Sequence, residues 1–199
     1  VWVCENLESS EESCQCFDIE TVKDAQFSAL NVVILIREES PPPNLEKLPQ
    51  LGLSDEVFLT YRDRPGLMTK REIRPLILAE LALQPKQIIW DIGAGTGAVS
   101  IEIARLFPSI QVYAIEKTAM GAALIQKNCQ RLQVENVTVI EGNAPDQLPF
   151  SAPPQRIFIG GTGGNLNEIL DACDDKLVAE GRIVFALATL EHLEQARQW

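Results

Sequence analysis

The chain has 199 residues, 46% of them hydrophobic, and its 28 acidic against 17 basic side chains give a formal net charge of −11. That is enough apolar material for one good core and a second partial unit, while no stretch reaches the ~18 consecutive apolar residues of a membrane span. So acidic a chain lacks the basic face that binding to nucleic-acid phosphates requires, and Val1-Trp2-Val3-Cys4 followed by acids has no signal-peptide pattern, so a cytoplasmic protein with no membrane or nucleic-acid partner is expected.

Cysteines at 4, 14, 16, 129 and 173 form no C-x-x-C pair and leave an odd one over, which favours free thiols over a disulfide framework or a zinc site. His192 is the only histidine and reads as surface; no metal site is expected.

Residues 1–60 hold twelve acids against three bases. Within them only Leu30–Ile36 reads as a strand, apolar and buried, and residues 1–40 are too short to own a core. Pro41-Pro42-Pro43 can continue neither helix nor central strand, so 41–50 reads as an extended interdomain linker. Tyr61–Arg74 then reverses the charge, with Arg62, Arg64, Lys70, Arg71 and Arg74 against Asp63 and Glu72. Such a patch on an acidic protein can focus a small anionic ligand.

From there the pattern is regular. Thr69-Lys70-Arg71-Glu72 reads as a capping box opening a helix through Leu83. Strands follow at 87–91, 111–115, 137–140, 156–159 and 182–186, with helices at Ala98–Phe107, Thr118–Leu132 and Asn165–Cys173 between them. Short apolar strands alternating with helices predict an α/β fold, a doubly wound, mostly parallel sheet covered on both faces, with ligands beyond the carboxyl ends of the strands. The chain begins with Val1 and ends at Trp199 without a helix-stop signal, so both ends are expected to be cut from a longer protein.

The loop after the first of these strands carries the chemistry. Gly93, Gly95 and Gly97 allow a tight turn close to a ligand, and Gly93-x-Gly95-x-x-Ala98 also fits a permissive dinucleotide fingerprint. Glu116, at the end of the next strand, suits ribose hydroxyls in either case. Asp91 favours a ligand bearing an ammonium group over a pyrophosphate, which points to S-adenosylmethionine; a nicotinamide-dependent enzyme and a purely structural turn remain the alternatives.

Four segments carry a resemblance: Met68-Thr69-Lys70-Arg71-Glu72-Ile73-Arg74, Trp90-Asp91-Ile92-Gly93-Ala94-Gly95-Thr96-Gly97, Glu141-Gly142-Asn143-Ala144-Pro145 and Phe158-Ile159-Gly160-Gly161-Thr162-Gly163-Gly164. Together they resemble the precorrin-6Y C5,15-methyltransferase (decarboxylating) family of cobalamin biosynthesis over about residues 52–199. The start, with Val3-Cys4-Glu5-Asn6-Leu7, is more weakly similar to the end of a tetrapyrrole methylase domain. The resemblance implies a Rossmann-like class I S-adenosylmethionine-dependent methyltransferase domain over 51–199, truncated at its C-terminus, preceded by a tetrapyrrole methylase fragment over 1–40 and a linker over 41–50.

It further implies a precorrin-type tetrapyrrole substrate, methylated at C15 with loss of the C12 acetate carboxyl, C5 methylation belonging to a preceding domain. S-Adenosylmethionine is expected at Thr69, Asp91, Gly93, Ala94, Gly95, Thr96, Gly97, Glu116, Asn143, Ala144 and Gly160. The substrate is expected at Arg64, Lys70, Arg74, Gly161, Thr162 and Gly163, with Arg64 and Arg74 the preferred carboxylate partners. Glu116 stands where many methyltransferases have Asp. The acid that protonates the decarboxylated carbon is not identified, and a homo-oligomer is expected. A methyltransferase acting on another small molecule or on RNA, and a non-catalytic cofactor-binding domain, are the competing readings.

Overall fold

A computed structural model describes residues 1–36, 41–61 and 63–199, the side chain of Pro65 excepted. Arg62 of the basic segment therefore lies outside the described residues. The chain divides into two units, Val1–Pro41 and Pro42–Trp199. Among the described residues no helix is long and apolar enough to cross a membrane.

In the first unit β1 (Trp2–Glu5) lies between β2 (Ser13–Cys16) and β3 (Asn31–Ile34), antiparallel to both. The sequence suggests one buried strand here; the unit has three, and Val32, Val33 and Ile34 of β3 are all about half exposed. Alternation sends Val32 and Ile34 to one face and Val33 to the other, and Val3 is the one buried hydrophobic side chain of the described residues in this unit. Two four-residue strands flanked by acids and serines are too short to show a readable period.

The second unit begins inside the expected linker. Asn44 accepts from the Glu46 N–H to start a 3-10 turn over Leu45–Lys47, and Leu45 and Leu48 pack on a buried cluster that includes Leu53, Phe58 and Ile125. The second sheet comprises β4 (Ile88–Ile92), β5 (Gln111–Glu116), β6 (Val137–Glu141), β7 (Arg156–Ile159) and β8 (Arg182–Phe185), all parallel, in the order β6-β5-β4-β7-β8. Helices α1 (Arg74–Leu81), α2 (Ala98–Leu106), α3 (Ala119–Arg131), α4 (Leu166–Lys176) and α5 (Leu190–Gln198) complete it. This is the doubly wound α/β fold that the alternation predicts.

Strand alternation sorts the core. Ile89, Val112 and Phe158 pack with Ile77 and Leu81 of α1 and Val99 and Ile103 of α2. Trp90, Ile92, Ile115, Ile157 and Ile159 face the other way, onto Ile169, Leu170 and Cys173 of α4. A strand buried on both faces reads as an unbroken apolar run, which is why β4 was legible. Because the chain runs outward from β4 to β6 and then returns beside β4 as β7, the order of strand addition reverses between β4 and β7, where the loops at their carboxyl ends meet.

The expected capping box does not start α1. A helix capped by Thr69 would place Pro75 well inside, where its missing N–H and ring cost about 3 kcal/mol. The helix instead begins at Arg74, which puts Pro75 in its first turn, after a turn in which the Ile73 and Arg74 N–H groups both donate to the Lys70 carbonyl.

Candidate functional site

The loops after β4, β5, β6 and β7 enclose a cavity of about 370 Å³. Its wall includes Gly93, Gly95, Glu116, Asn143, Ala144 and the loop Gly160–Gly163, together with Arg64. Ten of the seventeen residues expected at the site thus share one cavity wall.

Glu116 is its central acid. It is buried at the end of β5, where Oε2 accepts from the Gly95 N–H at 3.1 Å and Oε1 accepts from the Thr118 N–H at 3.1 Å and hydroxyl at 2.9 Å. A carboxylate offers about four acceptor positions, so Oε2 keeps capacity for a ligand hydroxyl. Thr118 also caps α3, its Oγ1 accepting from the Gly121 N–H at 3.1 Å.

The glycines are needed for a different reason from the one their spacing suggests. Gly93 has φ +72°, and a Cβ on it would lie 2.6 Å from the Gly161 nitrogen and 2.7 Å from the Gly161 Cα. Close packing of the β4 and β7 loops, not ligand approach, demands glycine there. A Cβ on Gly97 would meet Ile125 Cγ2 at 2.8 Å.

Asp91 is buried, and its Oδ2 accepts from the Ser100 N–H at 3.1 Å and hydroxyl at 2.5 Å. Burial raises its carboxyl to about 6, against the lowering effect of the two Ser100 bonds. Its Oδ1 has no hydrogen-bond partner among the described residues. Neither Asp91 nor Ala94, Thr96 or Gly97 lines the cavity; these four lie in the last strand turn and loop interior, where the Thr96 carbonyl accepts from Asn128 at 2.9 Å.

One expectation in the basic segment is corrected, and two further residues lie off the cavity wall. Arg74, a preferred substrate partner, is fully buried: Nε donates to Glu102 at 2.8 Å, one terminal nitrogen donates to Asp55 at 2.7 Å and to the Thr69 carbonyl at 2.6 Å, and the other donates to the Leu53 carbonyl. Its guanidinium also lies 5.0 Å from the Phe58 ring centre. With four of its five N–H donors taken and the side chain fully buried, it does not face the cavity. Thr69, expected at the cofactor, is half-buried off the cavity wall with its carbonyl held by Arg74, and Lys70 is exposed, its Nζ 3.8 Å from Asp55. The helix does not begin at Thr69, so Thr69 does not stand at its N-terminus. Arg64 does reach the wall, exposed, 3.1 Å from Asp63 and 5.7 Å from the Tyr61 ring centre.

Sequence reasoning missed several wall residues. The Tyr61 hydroxyl donates to the Gly95 carbonyl at 3.3 Å, and burial, followed by the nearby Glu116 charge, raises its phenol above the usual value. Gly121 is required by space, since a Cβ there would lie 2.5 Å from both Glu116 Cγ and Tyr61 Oη; a glycine in the first turn of a helix, costing about 1 kcal/mol against alanine, is the signal that could have found it. Lys117 and Asn165 also line the cavity. His192, expected on the surface, is half-buried with Nε2 3.5 Å from Thr162 Oγ1.

Comparison with known proteins adds the following. Residues 60–199 match the family model described as a precorrin methyltransferase domain. The chain is 38% identical over 144 residues to the cobalt-precorrin-6B C(15)-methyltransferase (decarboxylating) of Salmonella typhimurium, covering 72% of this chain and 73% of that one. It is 36% identical over 140 residues to the precorrin-6Y C(5,15)-methyltransferase [decarboxylating] of a Sinorhizobium species, covering 70% of this chain and 33% of that longer protein. The crystal structure of precorrin-6y C5,15-methyltransferase from Geobacter metallireducens superposes with a TM-score of 0.72 at 39% identity, over 76% of this chain and 78% of that one.

Proposed function

The chain belongs to the precorrin methyltransferase domain family, and from that premise we propose that it methylates C15 of a precorrin-type tetrapyrrole with S-adenosylmethionine and removes the C12 acetate carboxyl as carbon dioxide. The observation that carries the reading is Glu116, an acid with a spare acceptor position in the wall of a cavity at the reversal point of a parallel sheet. At about 370 Å³ the cavity falls in the range of small-molecule sites, about 300–1,000 Å³.

The residues fit the cofactor. Glu116, with its spare acceptor position in the cavity wall, would take the ribose hydroxyls. When bound, S-adenosylmethionine supplies a methyl group already activated by its sulfonium. Gly93, Gly95, Asn143 and Ala144 shape the wall around it and so help to position it. Arg64 at the wall supplies the planar fork that suits a substrate carboxylate.

The test is incubation with S-adenosylmethionine and an enzymatically prepared precorrin carrying the C12 acetate, with products read by mass spectrometry. The expected product gains one methyl group and loses carbon dioxide. Unchanged substrate from a protein that binds S-adenosylhomocysteine would assign the site to another acceptor.

A further inference from the structure

We propose that Thr162 and His192 form a proton relay at the cavity, Thr162 delivering the proton to the carbon from which the carboxyl departs and His192 resupplying it. The inference rests on the functional reading above and names the acid that reading leaves open.

The chemistry requires a proton at one defined place. When the C–C bond to the acetate carboxyl breaks, carbon dioxide leaves and the electron pair stays on the methylene carbon, delocalised into the conjugated macrocycle. A proton must then form the new C–H bond, giving a methyl group. A positioned side chain at the cavity wall can supply it.

The wall offers few sources. Arg64 is engaged by Asp63 at 3.1 Å. The Tyr61 hydroxyl is committed to the Gly95 carbonyl and made less acidic by burial. Glu116 already accepts three hydrogen bonds. Imidazole is the side chain most often used as a general acid, and the chain has one histidine.

The geometry around Thr162 makes it a switchable donor. Thr162 lines the cavity on the loop after β7, and the Gly164 N–H donates to its Oγ1 at 3.4 Å. His192 stands in the first turn of α5, held there by its own N–H donating to Thr189 Oγ1 at 3.2 Å, with Nε2 at 3.5 Å from the same Thr162 oxygen. A hydroxyl has one hydrogen and two lone pairs. With the imidazole protonated, Gly164 and His192 occupy both lone pairs, and the hydroxyl hydrogen must turn away from them, which leaves the cavity side. With Nε2 bare, the hydroxyl donates to the imidazole instead. Proton delivery therefore runs from Oγ1 to carbon and from Nε2 to Oγ1, after which solvent reprotonates the half-buried ring. Thr162 is the group that meets the substrate; His192 acts through it as a positioning residue.

The test measures carbon dioxide released per methyl transferred, with the same precorrin, in wild type, His192→Ala, His192→Asn and Thr162→Val. Both His192 variants should lower the ratio roughly 10²-fold, in the range of general acid catalysis, and accumulate a methylated product that keeps its carboxylate. Added imidazole should restore the ratio in His192→Ala and not in Thr162→Val, a difference that a merely structural role does not produce. A wild-type ratio in either His192 variant, or a loss that imidazole leaves unrestored in a His192→Ala protein that still binds S-adenosylhomocysteine, overturns the relay. A wild-type protein that binds no S-adenosylhomocysteine overturns the underlying functional reading instead.

Discussion

Arg74 and Glu102, both fully buried, face each other at 2.8 Å between α1 and α2. The Glu102 carboxylate also accepts from the Gly52 and Leu53 N–H groups, each at 3.0 Å, and Arg74 returns a bond to the Leu53 carbonyl. The pair thus ties the segment that enters the second unit to the helix following the glycine loop. Removing one partner strands a buried charge, so Arg74→Met should cost about 3–5 kcal/mol in denaturant unfolding. Arg74→Met with Glu102→Met should cost less than the sum of the single changes. Additive costs would show that the two groups do not depend on each other.

Arg64 should behave in the opposite way. Arg64→Gln should leave the unfolding midpoint nearly unchanged and weaken binding of a polycarboxylate tetrapyrrole such as uroporphyrin, with the loss shrinking as salt rises. Tetrapyrrole affinity equal to wild type at low salt would remove Arg64 from the substrate site.

The different fates of these two arginines mark what sequence can and cannot carry. The strands of the second sheet, the glycine loop and Glu116 were legible because each is a local pattern: an unbroken apolar run, a spacing, the end of a strand. Arg74 could not be separated from Arg64 locally, because its burial depends on Glu102, 28 positions away. One signal was available: Glu102 sits in Ala98–Leu106 among residues that are otherwise apolar or small almost all round, and an acid in such a helix needs a buried base. Asn128 was missed for a similar reason, since its side chain clamps the Leu59 N–H and carbonyl across 69 positions. His192 looked like surface because only the tertiary fold brings Thr162 beside it.

Gly93 tests the close packing of the two loops. A methyl group there meets the Gly161 backbone at φ +72°, so Gly93→Ala should cost about 1–3 kcal/mol and weaken S-adenosylhomocysteine binding. Gly66→Ala, with nothing within 4 Å of the added carbon, should stay within about 0.5 kcal/mol. Equal stability of the two variants in thermal unfolding would contradict the packing.

Asp91 makes stability depend on pH in a definite direction. Its folded carboxyl is raised to about 6 from 3.8, first by burial, so between these values the native state holds a proton that the unfolded chain releases. Stability contributed by this group therefore falls as pH rises from about 4 to about 6 and is level above. Relative to Asp91→Asn, the wild type should lose on the order of 2–3 kcal/mol across that window. A wild-type minus variant stability difference that is flat with pH would contradict the raised carboxyl.

The domain division also has a test. With Val3 its one described buried hydrophobic, the first unit has too little core to fold alone. Limited proteolysis should therefore degrade residues 1–40 and leave a resistant fragment beginning near Leu45, which packs on the second unit. Survival of the N-terminal piece as a stable fragment would refute the division.

The most direct test of the central claim is thermal unfolding with S-adenosylhomocysteine and, separately, with NAD. A ligand that binds only the native state at a hundredfold excess over its dissociation constant adds about 2.7 kcal/mol. S-Adenosylhomocysteine should raise the midpoint accordingly, NAD should not, and Glu116→Ala should lose roughly 1.5–3 kcal/mol of the binding. Stabilisation by NAD with none by S-adenosylhomocysteine would contradict the account.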